Sequence, residues 1–233
     1  MARNSLLYIL LFGCSHLFAQ DVDRQQLIDN STIDYLRNVG NQSALYYGNL
    51  QEGLPRTTNH PYLKDIQYAE ARMSYLRVTY PEVLLRLDLS RNELIIQTPD
   101  FRNIVLFPEN VDFAEFHGHH IIYFRRDSLP GCPASGYLTL LHSGKCKVLE
   151  KQTAMIMVDN DHQYYYDFST KFYLYRDDIY YTIKNRRGLL KVLQPYRKEL
   201  KRFISAHHWK FRNDAEILIP QTVIEYEKLS GLQ

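Results

Sequence analysis

Past its first twenty residues this chain contains no apolar run that approaches the length of a bilayer span, so the mature protein is expected not to be transmembrane. Several ready-made chemistries are missing too. There is no HExxH helix, no paired-cysteine zinc pattern, no Gly-x-Ser-x-Gly elbow and no glycine-rich phosphate loop. Internal repeats are absent, and no shift in composition marks a second domain. Cysteine is scarce: of three, Cys14 falls in the leader, which leaves Cys132 and Cys146 as the only pair. With no nucleophile set or acid–base pair standing out, the reading leans away from an enzyme, and no cofactor is implied.

What is present is an ordinary globular composition over 233 residues, 45% hydrophobic and 23% charged, which suits one domain with a small appendage. The unusual numbers are 19 Tyr and 11 Phe. Aromatic side chains favour half-buried pleated surfaces and tilt the composition towards sheet.

The N-terminus has the layout of a secretory leader. Arg3 supplies the positive region, Leu6 to Phe12 the apolar run, and Leu17-Phe18-Ala19-Gln20 the processing site, with cleavage placed after Ala19. A competing layout is Leu11-Phe12-Gly13-Cys14, in which Cys14 would be acylated. Phe12 is bulky for that motif, so the soluble form is preferred. Either way the protein is expected outside the cytoplasm, periplasmic or associated with the outer membrane. An oxidising compartment lets Cys132 and Cys146 form a disulfide worth ~3 kcal/mol. Symmetric pairing about Ser143-Gly144 puts Leu141 opposite Cys146, so a bond and two small unbonded side chains both stay open.

Residues 20–42 read as a polar arm or short helix, and Gly48 to Pro61 as a loop. Period-two patterning then predicts strands at Met73–Tyr80, Glu82–Leu89, Glu93–Gln97, Asn103–Phe107, Val111–Phe116, His119–Arg126, Tyr137–His142, Lys145–Lys151, Lys171–Arg176 and Ile179–Lys184. After Asn185 the period changes. Leu189, Leu190, Leu193, Leu200, Phe203 and Ile204 recur at helical spacing, interrupted by Pro195. A last helix is expected from the N-cap candidate Asn213 to Leu229, bent at Pro220. The fold class is therefore α+β. A mainly antiparallel meander, curled into a partial barrel or sandwich over 43–233, carries a C-terminal helical segment, 186–230, packed on it.

Three features are candidates for function. His117, His119 and His120 cluster, and on an extended chain His117 and His119 share a face. No third ligand is in view, so a polar turn is preferred to a metal site. The Tyr-rich stretch around Tyr165, Tyr173 and Tyr181 could stack glycans or peptides, although sheet packing explains it as well. The clearest feature is charge. Residues 184–212 hold ten Lys and Arg, including Lys198, Lys201 and Arg202, against the single Glu199, a net +9 in a chain of net +2. Export removes nucleic acid as a partner. An envelope protein, anionic lipid or lipopolysaccharide phosphate, a glycan, or the acidic remainder of the same domain are left.

Asn59-His60-Pro61-Tyr62, Tyr80-Pro81-Glu82-Val83-Leu84-Leu85-Arg86-Leu87-Asp88, and Phe172-Tyr173-Leu174-Tyr175 leading into Lys184-Asn185-Arg186-Arg187-Gly188-Leu189-Leu190 together resemble a group of uncharacterised exported proteins of Bacteroides-type bacteria. That resemblance implies an envelope location and carries no activity or site residue with it. The functional expectation is a non-enzymatic envelope protein with a binding or structural role. A glycan-binding module or hydrolase using the Tyr-rich strands is the alternative.

Overall fold

A computed structural model describes residue 24 and residues 26–231; the leader and Cys14 lie outside the described residues. A helix over 26–39 (α1) precedes the sheet. The strands are β1 (Gly48–Leu50), β2 (Ala69–Tyr75), β3 (Val78–Asp88), β4 (Glu93–Gln97), β5 (Asn103–Leu106), β6 (Val111–Phe116), β7 (His119–Phe124), β8 (Gly136–Ser143), β9 (Lys147–Val158), β10 (Tyr164–Arg176) and β11 (Ile179–Ile183). Three helices follow: α2 (Arg186–Val192), α3 (Arg197–Ala206) and α4 (Phe211–Ser230). All eleven strands form one open antiparallel sheet, ordered β1-β5-β4-β3-β2-β6-β7-β8-β9-β10-β11. The fold is α+β, with the C-terminal helices on the sheet, as the change of period predicts.

Turn chemistry explains three of the hairpins. Leu76-Arg77, His117-Gly118 and Asp177-Asp178 each place two consecutive residues at positive φ, between strands that pair directly across them. Such two-residue turns match the right-handed twist of a hairpin. The first corrects the sequence reading: Met73–Tyr80 is not one strand but crosses the β2–β3 turn. Within β3, Pro81 has no N–H to offer, and the register of β2 and β3 shifts just there, between Ala71 and Met73. The loop expected over Gly48–Pro61 begins instead with β1, which pairs with β5 at the sheet edge.

The largest difference lies at β9 and β10. Both run far beyond the boundaries expected at Lys151 and Lys171, pairing continuously from Lys147↔Tyr175 to Val158↔Tyr164. Beyond Lys151 this hairpin leaves the sheet as an arm. Its flanks are held by side contacts: Asn59 accepts from Tyr166 N and donates to Tyr166 O, at 2.7 and 2.8 Å, and Ala154 N donates to Leu89 O. Asp159 closes the tip by accepting from the backbone N–H of Asp161 and Gln163, which is why Asp159-Asn160-Asp161 is a turn and not a calcium loop. Met155, Ile156, Met157 and Val158 are exposed along it.

Two apolar clusters result. One lies against β2–β7 and includes Ala154 and Tyr166 of the arm, with Met73, Tyr75, Leu85, Leu94 and Ile96 fully buried. The other lies between β8–β11 and the helices, around Val148, Leu174, Leu189, Leu193, Leu200, Ile204, Leu218 and Val223. Each such side chain stabilises by about 1.5–3 kcal/mol relative to exposure, so the helical layer is integral to the domain. Pro195 separates α2 from α3. Helix α4 starts two residues before Asn213, and its dihedrals depart from helical at Asp214 (φ −118°, ψ 19°) and not at Pro220. Among the described residues no helix is long and apolar enough to cross a membrane.

Candidate functional site

The basic segment becomes one surface once the helices are placed. Asn185 caps α2 by accepting from Gly188 N at 2.8 Å, which starts the helix and turns Leu189 and Leu190 into the core. On α3, Leu200 and Ile204 are four residues apart and fully buried, so Lys198, Lys201 and Arg202 stand on the outer side. Arg186 ties the two helices, its guanidinium donating to Lys201 O at 2.8 Å and Ser205 Oγ at 2.9 Å. Among the described residues none of the ten cations lies within ion-pair reach of a carboxylate. No contact ion pair among the described residues therefore ties this face to the acidic remainder of the domain. At the end of α3, the exposed His207 stacks on Trp209, with ring centroids 4.3 Å apart, and Phe203 meets Trp209 edge-on.

The Tyr-rich stretch does not form a platform. Tyr165 is half-exposed on the arm, opposite Met157. Tyr173 is 9% exposed, on the face it shares with Tyr175 and Tyr180, where Tyr180 N donates to Pro130 O of the preceding loop. Tyr181 pairs with Leu174 and packs against the helical layer. Strand alternation puts Tyr181 on the opposite face from Tyr165 and Tyr173, and of the three only Tyr173 is buried. A concavity of about 420 Å³ lies elsewhere, between Tyr46, Glu70, Glu82 and Pro99.

The histidines separate in the same way. His117 is a turn residue at φ 52°, so the shared face expected for His117 and His119 does not exist. His120 pairs with Glu115 at 2.9 Å and stacks on Phe113. His119 alone turns inward, 7% exposed, and meets two carboxylates distant in sequence: Glu150 on β9 and Glu216 on α4. One ligand atom from each of the three lies within 4.8 Å of the others, and His119 Nδ1 stands 3.6 Å from Glu216 Oε1. Glu150 is 3% exposed. Its Oε1 accepts from Gln152 Nε2 at 3.1 Å, whereas its Oε2 is buried with no hydrogen-bond partner. Burial, with the charge of Glu216 behind it, pushes the Glu150 carboxyl up to about 7. Burial likewise holds the His119 imidazole below its ordinary value.

A second clasp joins α4 to the sheet at the β8–β9 turn. Buried Glu227 accepts from Cys146 N at 2.7 Å through Oε1, and its Oε2 lies 2.8 Å from His142 Nε2. Both cysteines are free thiols. Cys146 lies in the core beneath α4, where burial and then Glu227 push its thiol up to about 11. Cys132, in the loop before β8, has its Sγ 3.3 Å from Asp127 N. Glu150, Glu227 and His142 belong to no local motif, and sequence reasoning passes over them. Glu216 enters it only as the capping-box partner of Asn213, a box that does not form because α4 starts at Phe211.

No family model, curated protein or solved structure matches this chain.

Its chemistry has to be read from its own side chains.

Proposed function

We propose that this is an exported, non-enzymatic protein of the cell envelope, and that the outer face of α2 and α3 binds anionic phosphate groups of an envelope surface. The observation that supports this most directly is a cation set with no contact ion pair among the described residues: nine of the ten Lys and Arg of 184–212 are exposed, and Arg186 is half-buried and spent on joining the helices. Lys198, Lys201 and Arg202 follow i, i+3, i+4 spacing opposite the buried Leu200 and Ile204, so the charges point away from the sheet together. Trp209, packed edge-on against Phe203 at the same end, is the kind of amphipathic ring that settles at a lipid headgroup layer.

Near an anionic leaflet each basic residue contributes about 1 kcal/mol, within roughly a Debye length. Removing Lys198, Lys201 and Arg202, three of the four cations of α3, should therefore cost about 3 kcal/mol, or on the order of 100-fold in partitioning. Co-sedimentation with vesicles of 30% phosphatidylglycerol in phosphatidylcholine, at low and high salt, measures it. Wild type should bind, and release as salt rises; K198E/K201E/R202E should not bind. A parallel arm with lipopolysaccharide separates lipid A phosphate from phospholipid. Equal binding by the variant, or wild-type binding to neutral and anionic vesicles alike, would overturn the proposal. Salt-sensitive binding to an acidic protein but to neither lipid would replace it.

A further inference from the structure

We infer that His119, Glu150 and Glu216 form a binding site for a divalent cation of the zinc type, which cross-links helix α4 to strands β7 and β9. The three side chains come from three elements, and each is placed by its own local geometry. His119 is the first residue of β7, and the tight turn at His117-Gly118 sets its direction; Ile121, two residues on, shares its face of the sheet. Glu150 faces the same side, because its register partners are Thr139 on β8 and Phe172 on β10. Glu216 and Glu227 are eleven residues apart on α4, three helical turns and about 20° by the 3.6-residue repeat. They therefore share the inward stripe of the helix.

The contrast between these two glutamates is the core of the inference. Glu227 meets donors, an N–H and an imidazole. Glu216 instead meets a second carboxylate, with one imidazole beside it. Two ionised acids facing each other next to an apolar core repel, and either a proton or a cation between them relieves that. The orphaned atom shows where it would lie: Glu150 Oε2 has lost its water and gained no donor, a costly state for a carboxylate oxygen. Lys64 is close enough to influence both Glu150 and His119 electrostatically, but Glu150 Oε2 has no hydrogen bond from it.

The donor set defines the chemical class. One imidazole nitrogen and two carboxylate oxygens suit Zn²⁺ and its first-row neighbours, and are too few and too nitrogen-rich for a calcium cage. Zn–N and Zn–O bonds of about 2.0–2.2 Å put neighbouring ligand atoms about 3.4 Å apart in a tetrahedron. The group spans up to 4.8 Å, so its widest pair needs to close by up to about 1.4 Å. Glu216, whose side chain is 41% exposed, has the freedom to swing inward while His119 and Glu150 stay fixed. Three protein ligands leave a fourth position for water on the Glu216 side.

The test uses the whole mature chain, stripped with chelator and titrated with Zn²⁺ by calorimetry. Co²⁺ absorption reports the coordination geometry. One equivalent should bind, and at a hundredfold excess over Kd the melting temperature should rise by roughly 5–10 °C. E150Q and E216Q should each weaken binding at least about 100-fold, which leaves only about a 1 °C rise at the same concentration. E216Q, at a half-exposed position, keeps the test decisive even where E150Q fails to fold. No saturable binding of Zn²⁺, Co²⁺ or Mn²⁺ below about 100 μM would overturn the site. So would binding that E216Q and H119Q leave unchanged, which would put the ion elsewhere.

Discussion

Replacing Gly144 by alanine tests how α4 is locked to the sheet. Gly144 does not sit at positive φ, so the added methyl imposes no backbone strain. Its effect is steric. A Cβ there would lie 2.5 and 2.6 Å from the two oxygens of Glu227 and 2.7 Å from His142 Nε2, distances that real Cβ atoms do not reach. Glu227 must therefore leave, and both of its bonds go with it. Hydrogen bonds to a charged partner are worth about 1.5–3 kcal/mol each, and the lower end suits a carboxylate that regains water on release, so G144A should cost roughly 3 kcal/mol. E227A should cost about the same, because it deletes the same two bonds. E227Q should cost only about 1 kcal/mol, since an amide can accept from Cys146 N and donate to His142. The decisive measurement is the double-mutant cycle by urea denaturation. With Glu227 already truncated the extra methyl meets only the end of the His142 ring, which has lost its Glu227 partner and is free to swing aside, so G144A/E227A should be little less stable than E227A alone, a coupling of about 3 kcal/mol. In melting temperature each single variant should fall by roughly 6–12 °C for a domain of this size. Costs that add to within about 0.5 kcal/mol would refute the reasoning, because G144A would then act by some route other than Glu227.

Two further outcomes follow from the packing. Arg86 lies between the rings of Tyr62 and Tyr68, at 3.9 and 4.3 Å, and donates to Ile66 O and Gln51 Oε1, so it holds the 51–68 segment against β3. R86K keeps the charge but loses the planar stack and the fork; it should destabilise by about 1–2 kcal/mol and raise proteolysis within 51–68, and an unchanged digest would count against that role. In native protein lacking residues 1–19, iodoacetamide should label Cys132, slowly, and leave Cys146 untouched until denaturant is added; a mass lower by two hydrogens with no labelling would show a disulfide instead.

Much of the architecture was legible because it rests on local periodicity. Alternation marked most of the strands, and the leucine spacing after Asn185 marked the helices and the face they bury. The errors share a cause. Leu76-Arg77 occupies a turn at positive φ with neither Gly nor Asn to signal it, so the alternation of β2 runs visibly into β3. The extension of β9 and β10 was missed because 152–170 is exposed on both faces for most of its length and shows no in–out pattern. Its order comes instead from continuous cross-strand pairing and from Asn59, about a hundred residues away.

Charge could be counted along the chain, so the basic segment was visible from composition. That among the described residues none of its cations forms an ion pair with a carboxylate is a fact of three dimensions. The meeting of His119, Glu150 and Glu216 is still further from the sequence, for their spacings of 31 and 66 residues belong to no motif. Residue-level patterning decided which segments are extended, which are helical and which side of each is apolar, since burial acts on every few residues in turn. Only the tertiary structure decided which polar side chains those faces carry inward together. Register, turn geometry and helix docking set that at distances local periodicity does not encode.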